Sequence, residues 1–207
     1  MIDLYTDSSP NGFKATIALE ELALPYRLHH IRIDAGEHRQ PEFLALNPHG
    51  RIPVIVDTAT GITLFESAAI LLYLAEKTGQ LLPQEPVGRW ETIKWLQFHA
   101  SSVGPIIGQR VHFELAATEK TPVAIEHFRV LTDRLFTVLD ERLARHPYLA
   151  GNDYSIVDIA HFGWTHIARV VGFDFSQFPH LSHWHERVAQ RPAVRKGITL
   201  PAPATGA

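Results

Sequence analysis

The sequence predicts an α/β domain followed by an all-α helical bundle. Up to residue 82, short runs of alternating apolar and polar residues are interleaved with helical stripes, which is the pattern of an α/β domain. A Pro- and Gly-containing segment at residues 83–88 has the composition of a linker. Beyond it, apolar residues recur at helical spacing. We therefore place the α/β domain at residues 1–82, the linker at residues 83–88 and the helical domain at residues 89–207.

The first domain begins with a β-α-β unit. Residues 2–5 alternate as a short strand does, and a turn cluster at residues 8–12 follows directly. A helix is predicted from about Phe13, with an apolar stripe that leaves Lys14 on another side. Residues 26–33 give a second strand, which completes the unit.

A short helix, a hairpin and a longer helix are predicted for the rest of the first domain. The short irregular helix lies near residues 42–46, and residues 53–56 and 62–65 form the hairpin. The run that follows Glu66 and Ser67 is almost continuously apolar. We therefore expect a helix that is buried all round and meets solvent at its polar first turn.

Start and stop signals divide the helical domain. Its first helix runs toward the Gly-Pro pair at residues 104–105, where proline forces a kink or a break. Thr121 and Pro122 open a long helix, and Ser-Ile-Val-Asp at residues 155–158 fits a capping box. A last helix is expected to stop before Pro192.

Charge and hydropathy argue against several classes of function. The net charge of −3 disfavours a nucleic-acid partner, which requires a basic surface. The longest apolar stretch, residues 68–75, is far shorter than the ~20 residues that span a bilayer, so we expect no membrane partner. The first residues carry no basic stretch before an apolar run, so we expect no signal peptide and a cytoplasmic protein.

The chain contains no cysteine. This excludes disulfides, cysteine zinc sites, iron–sulfur ligation and a protein thiol nucleophile. Any thiol chemistry must therefore come from a bound small molecule. His180, His183 and His185 have approximate metal-ligand spacing, but a solvated histidine face explains them better, and we expect no metal.

Glu66 and Ser67 mark a candidate binding site at the start of the apolar helix. The first N–H groups of a helix lack intrahelical partners and carry partial positive charge, so the hydroxyl of Ser67 completes a site for a small carboxylate. Glu66 can receive an ammonium group, so one pocket suits both charged groups of an α-amino acid. The alternative is that Ser67 only caps the helix and Glu66 only favours its N-terminal end.

Three features, in this order along the chain, resemble the glutathione transferase superfamily. Ile52 and Pro53 match the cis-proline segment whose main chain pairs with the cysteinyl part of glutathione. Glu66 and Ser67 match the pair that grips the γ-glutamyl ammonium and carboxylate, and residues 155–158 match the capping box of the second domain. The resemblance covers nearly the whole chain. It implies a thioredoxin-like N-terminal domain, an all-helical C-terminal domain and glutathione as cosubstrate.

Residues 9–14, Ser-Pro-Asn-Gly-Phe-Lys, are similar to the Thr-Pro-Asn-Gly-x-Lys loop of the bacterial nu-class proteins and their fungal prion-related relatives. In that group the loop Thr and Asn take the place of the Tyr, Ser or Cys that other classes present to the sulfur. Here Ser9 stands at the Thr position, which keeps the hydroxyl and removes a methyl group. The resemblance implies disulfide reductase activity, with two glutathione molecules or one glutathione disulfide in each site.

Asn11 and Ser9 are therefore the candidate catalytic residues. An amide or hydroxyl that donates a hydrogen bond to a thiolate stabilises the anion and lowers the pKa of the thiol. The alternative is that both residues only build the turn. Tyr5 is a rival donor, because several other classes use an N-terminal Tyr, but its place inside a strand favours packing beneath the site.

Four further residues are candidates for binding glutathione. By position, Arg51, His49 and Gln40 suit its glycine carboxylate, although Arg51 also fits a plain solvated charge. Arg134, in the long helix of the second domain, is a candidate from the same or a neighbouring subunit. The family resemblance also implies a homodimer.

Two hypotheses about function stay open. One is a glutathione transferase with glutathione-dependent disulfide reductase activity, acting on a small disulfide or electrophile. The other is a non-catalytic glutathione-binding or regulatory protein with the same fold. We expect the second substrate to be selected by residues 101–121 and by the Pro/Ala-rich tail from Leu200, which we expect to fray.

Overall fold

The computed structural model describes residues 1–202 and divides into two compact units. The first unit contains Met1–Leu82 together with the C-terminal segment from Gln190, and the second contains Pro83–Ala189. The sequence placed that C-terminal segment in the helical domain, whereas its contacts group it with the α/β unit. Most of the tail that was expected to fray lies outside the described residues. Within residues 1–202, no helix combines the length and apolar character that a membrane crossing requires.

A four-stranded sheet forms the centre of the first unit. Its strands are β1 (Ile2–Thr6), β2 (Tyr26–His30), β3 (Val54–Asp57) and β4 (Ile62–Phe65), in the order β2-β1-β3-β4. β1 runs parallel to β2 and antiparallel to β3, and β3 pairs with β4 as the predicted hairpin. The α/β prediction for this part of the chain is confirmed.

Three helices connect these strands or follow them: α1 (Pro10–Glu21), α2 (Pro41–Leu44) and α3 (Ser67–Thr78). α1 packs against α3 and is buried at every residue from Gly12 to Leu19. This includes Lys14, so the prediction that Lys14 lies outside the buried surface is wrong.

α3 is buried along one stripe only, formed by Ile70, Leu71, Leu74 and Ala75. Ala69 is exposed, so the expectation that this helix is buried all round is wrong. The reason is that α3 packs on α1 and on the β3–β4 hairpin with one side, while Ala69 and Glu76, which lie outside this stripe, are exposed. Its polar first turn is accessible, as expected, with Glu66 exposed and Ser67 half-buried.

The second unit is helical, as predicted. It contains α4 (Pro86–Phe98), α5 (Gly104–Val111), α6 (Pro122–Leu143), α7 (Ile156–Val170) and α8 (Pro179–Ala189). A π-helical turn, His99–Val103, joins α4 to α5 just before Pro105. Proline cannot donate to the carbonyl four residues back, so the hydrogen-bond pattern changes where a kink or break was predicted.

The capping box at the start of α7 is also present. Ser155 Oγ accepts the N–H of Val157 at 3.2 Å, and the Asp158 carboxylate accepts the N–H of Ser155 at 2.9 Å. Asp158 is fully buried and also accepts the N–H of Leu149 at 3.1 Å and the indole N–H of Trp184 at 2.8 Å. Burial raises the pKa of Asp158 to about 6, against the opposing effect of these hydrogen bonds. One carboxylate thus joins α7, α8 and the loop before α7.

His185 of α8 lies in the core of the second unit. It is 5% exposed, its ring stacks on Phe162 with centroids 4.8 Å apart, and its Nδ1 lies 3.2 Å from Thr165 Oγ1. Burial, with nearby positive charge, lowers its pKa to about 3. His180 and His183 are exposed, so the predicted solvated histidine face holds for those two residues and is wrong for His185.

A ninth helix among the described residues, α9 (Pro192–Gly197), was not predicted, because six residues are too few to show a period. It packs against α1, where Thr16 Oγ1 donates to the carbonyl oxygen of Gly197 at 2.8 Å. A Cβ on Gly197 would lie 2.8 Å from the Cα of Ile17, so only glycine allows this approach. Arg191 pairs with Glu21 at 2.6 Å. α9 therefore fixes α1 from outside the sheet.

We expect Asp158→Ala to destabilise the protein strongly. The substitution leaves three buried N–H donors without their acceptor, and each such donor costs about 1–3 kcal/mol, so the free energy of unfolding should fall by roughly 3 kcal/mol or more. Urea denaturation followed by circular dichroism measures this loss. Asp153→Ala, which removes a nearby exposed carboxylate, is the control. Equal stability of the two variants would show that the buried carboxylate is not needed.

Candidate active site

The loop after β1 is held in place by Asp7. Its carboxylate accepts the N–H groups of Ser8 at 2.7 Å and Ile33 at 3.0 Å, and it lies 3.0 Å from His30 Nε2. Burial opposes ionisation of this carboxyl group, but the three hydrogen bonds outweigh it and lower the pKa of Asp7. The loop is therefore tied to the chain that follows β2.

The loop continues into α1 through Ser9 and Gly12. Ser9 is the N-cap, with φ −156° and ψ 161°, and its Oγ accepts the N–H of Gly12 at 3.1 Å. A Cβ on Gly12 would lie 2.2 Å from the carbonyl oxygen of Asp7, so the turn requires glycine. Turn building is thus part of the role of Ser9, as its alternative interpretation held. A hydroxyl that accepts a hydrogen bond also carries a hydrogen of its own to donate.

Lys14 joins this loop to the start of α3. Its Nζ donates to Asn11 Oδ1 at 2.9 Å and to Ser67 Oγ at 3.2 Å, and the residue is only 3% exposed. The structure therefore brings together Asn11 and Ser67, which the sequence selected independently for two different ends of a ligand. Lys14 itself was missed as a site residue, although it closes the loop motif that carried the family resemblance.

Glu66 has an unusual backbone conformation. Its φ is 71° and its ψ 111°, a region that costs a non-glycine residue on the order of 1–3 kcal/mol. It occupies the N-cap position of α3, yet its side chain makes no capping hydrogen bond. Ser67 is the first residue of the helix and not its cap, so the interpretation of Ser67 as a mere N-cap is wrong. The first turn of α3 therefore keeps backbone donors for an anion.

The pKa of Lys14 lies close to neutral pH. Burial lowers its pKa to about 7, although the negative charge of Glu66 acts in the opposite direction. An incoming anion beside Lys14 would favour its charged form. The site is thus able to change its charge by one proton near neutral pH.

The Ile52–Pro53 peptide bond is cis, as the resemblance implies. The segment before it is held by Asn47, which is 2% exposed. Asn47 Nδ2 donates to the carbonyl oxygen of Arg51 at 2.7 Å, and its Oδ1 accepts the N–H of His49 at 3.0 Å. Asn47 is not among the residues that the sequence analysis selected for the site, so its support of this segment was missed. The available signal in the sequence is the Asn-Pro pair at residues 47–48, because an Asn side chain in a turn often accepts the backbone N–H two residues on.

Tyr5 has the packing position that the sequence analysis favoured over a role as donor to the sulfur. Its ring stacks on His29 with centroids 4.4 Å apart, and it packs against the buried cluster of Phe43, Ile52 and Val54. These contacts support a packing role beneath the Ile52 segment.

The remaining candidates have exposed side chains. Gln40, His49 and Arg51 lie on or near the segment between β2 and β3, and Arg134 lies on α6 in the second unit. Their roles in binding stay predictions. In the part of the chain that the structure describes, there is no group of three His, Asp or Glu residues that could hold a metal ion.

Two models of the glutathione S-transferase family match the chain: the N-terminal domain over residues 8–77 and the C-terminal domain over residues 112–192. The disulfide-bond oxidoreductase YfcG of Escherichia coli is 43% identical over 203 residues, which cover 96% of this chain and 94% of the relative. The protein URE2 of Eremothecium gossypii is 31% identical over 92% of this chain and 65% of its own length.

Solved structures of glutathione transferases also resemble this chain. A glutathione transferase from Burkholderia graminis, with two glutathione molecules bound per subunit, is 38% identical with a TM-score of 0.92, covering 97% of this chain and 88% of that one. A glutathione transferase from Pseudomonas putida, with one glutathione disulfide per subunit, is 36% identical with a TM-score of 0.90, covering 97% and 91%. With the thioredoxin-like sheet and the helical second unit, these matches show that the chain belongs to the glutathione S-transferase family.

Proposed function

We propose that this protein is a nu-class glutathione transferase that uses glutathione to reduce disulfides. The observation that carries the proposal is the contact of Lys14 with both Asn11 and Ser67. It places a donor suited to a thiolate and an anchor suited to a carboxylate in one cluster. The disulfide-bond oxidoreductases among the relatives support the reaction class.

The γ-glutamyl end of glutathione binds at the start of α3. Its carboxylate accepts hydrogen bonds from the hydroxyl of Ser67 and from the backbone of the first helical turn, where the helix dipole favours an anion. Its ammonium group faces Glu66, which is exposed and therefore accessible to a ligand. The backbone strain at Glu66 supports this role, because strained residues concentrate at functional positions.

The sulfur of glutathione lies at the N-terminal end of α1, beside the N-cap Ser9 and Asn11 of the first turn. Asn11 Nδ2 and the Ser9 hydroxyl donate to the thiolate, and the N-terminal end of α1 favours its negative charge. A free thiol has a pKa of about 8.5 and is mostly protonated at neutral pH, so these donors increase the reactive fraction.

The rest of glutathione follows the chain between β2 and β3. The cysteinyl main chain pairs with the segment at Ile52 and Pro53, and Arg51, His49 and Gln40 serve the glycine carboxylate. The cis bond and the buried Asn47 that holds Arg51 support this assignment. Arg134 remains a candidate contact to the ligand, from the same or a neighbouring subunit.

The reaction is thiol–disulfide exchange between bound molecules. The glutathione thiolate attacks one sulfur of the disulfide substrate, which forms a mixed disulfide and releases the other half as a thiolate that takes up a proton. A second glutathione thiolate attacks the glutathione sulfur of the mixed disulfide, which yields glutathione disulfide and the second reduced thiol. No protein sulfur is needed, in agreement with the cysteine-free sequence. Relatives with two glutathiones or one glutathione disulfide per subunit support this scheme.

A homodimer in the cytoplasm completes the proposal. Val87 and Trp90 of α4 are 81% and 67% exposed, and such apolar side chains are typical of a surface that a partner covers. The family resemblance suggests that this partner is a second copy. A chain without disulfides that uses reduced glutathione suits a reducing compartment.

The proposal is tested by two assays on one preparation: glutathione-coupled reduction of 2-hydroxyethyl disulfide, and conjugation of glutathione to chlorodinitrobenzene. We expect rapid reduction and slow conjugation. The opposite result would make this protein an ordinary conjugating transferase. If neither reaction occurs but calorimetry detects glutathione binding, the protein is a non-catalytic binding protein.

We expect Ser67→Ala and Glu66→Gln each to raise the KM for glutathione by about tenfold with little effect on kcat. Each substitution removes a charge-assisted contact that is present before and during the reaction, and such contacts contribute on the order of 1.5–3 kcal/mol. Steady-state kinetics at varied glutathione concentration measure the effect. Thr63→Ala, which removes an exposed hydroxyl from β4, is the matched control. An unchanged KM in both variants would contradict the γ-glutamyl assignment.

A further inference from the structure

Lys14 occupies a place where a charged side chain is costly. It is 3% exposed, and the partners of its amine, Asn11 Oδ1 and Ser67 Oγ, are neutral. Lysine is almost never fully buried without a charged partner, because an ammonium group loses its hydration there. A methionine of similar length would fill the same space without that cost, so the amine requires an explanation.

The two hydrogen bonds of Lys14 fix the direction of two other donors. An ammonium group only donates, so Asn11 turns Oδ1 toward it and its NH₂ group away from it. Ser67 likewise accepts from Lys14 with Oγ, so its hydroxyl hydrogen points elsewhere. Both residues are thereby oriented to donate to a ligand, one to a thiolate and the other to a carboxylate.

We propose that Lys14 is a positioning residue that joins the two ends of the glutathione site, orienting the Asn11 amide toward the thiolate and the Ser67 hydroxyl toward the γ-glutamyl carboxylate. This inference rests on the proposed function. Lys14 acts through Asn11 and Ser67, because its own amine is buried beneath them.

The charges around Lys14 show how its protonation depends on the ligand. Glu66 raises its pKa, while burial lowers it to about 7. On α9, which also packs against α1, Arg191 and Lys196 pair with Glu21 and Glu20 at the far end of the helix. In the empty site Lys14 is therefore partly neutral near pH 7. A ligand that brings a carboxylate to Ser67 stabilises the ammonium form, so binding takes up protons.

Isothermal titration calorimetry tests this coupling with S-methylglutathione, which has no ionisable thiol. The titration is performed at about pH 8, one unit above the Lys14 pKa, in buffers of different ionisation enthalpy. We expect the unaltered protein to take up a larger proton fraction on binding than Lys14→Met does, because the α-amino group of the ligand also titrates near pH 8 and contributes equally in both proteins. Lys94→Met removes an exposed lysine and should behave as the unaltered protein does.

Kinetics and stability give a second readout. Lys14→Met should lower kcat/KM for glutathione on the order of tenfold or more, since the two donors are no longer oriented.

The same variant should be more stable than the unaltered protein near neutral pH. Unfolded lysine keeps its proton up to about pH 10.5, whereas native Lys14 loses it near pH 7, so the unaltered protein gains stability as pH rises across this window. The advantage of Lys14→Met in urea denaturation should therefore shrink toward pH 10.

The outcomes separate this inference from the function on which it rests. If S-methylglutathione does not bind the unaltered protein, the proposed function and this inference both fail. If it binds with the same proton uptake in the unaltered protein and in Lys14→Met, or if that variant keeps full activity, the inference alone is overturned. Reduced proton uptake in Lys14→Met, with lower activity and a stability at least equal to that of the unaltered protein, supports the inference.

Discussion

The buried amine of Lys14 is the contact on which the candidate active site depends. It holds Asn11, in the first turn of α1, and Ser67, in the first turn of α3, within hydrogen-bonding distance of one atom. Each of these residues lies at a helix N-terminus, where partial positive charge favours an anion. A buried cation beside them adds to that field, and Glu66 offsets part of its cost. The buried amine therefore destabilises the folded protein, and in return the site can bind and activate an anionic ligand.

The rest of the first unit keeps these two helix starts in place. Asp7 ties the loop before α1 to the chain after β2, and α9 fixes α1 through the close approach at Gly197. The cis Ile52–Pro53 segment lies over a small apolar cluster and is held by Asn47. In the second unit, Asp158 has a comparable structural role, since one buried carboxylate on α7 accepts hydrogen bonds from the loop before α7 and from α8. The chemistry thus depends on rigid local supports around it.

Local patterns in the sequence were sufficient for the strands and for the larger helices, because alternation, helical spacing and capping residues act over a few positions. They were insufficient where distant segments cover a residue. The position of Lys14 outside the apolar stripe predicted exposure, yet the start of α3, some 53 residues later, covers it. His185 is buried for the same reason by α7. α9 is too short to show a helical period in the sequence, so it is identified only in the structure, where it packs on α1.

The most direct test of the proposed site is the pKa of the glutathione thiol in the complex, measured from the ultraviolet absorbance of its thiolate as a function of pH. If Asn11 donates to the sulfur, the bound thiol has a pKa clearly below the ~8.5 of a free thiol, and Asn11→Ala returns this pKa toward that value without loss of binding. A bound thiol with the same pKa as free glutathione, or a lowered pKa that Asn11→Ala does not change, would contradict the proposed role of Asn11 at the start of α1.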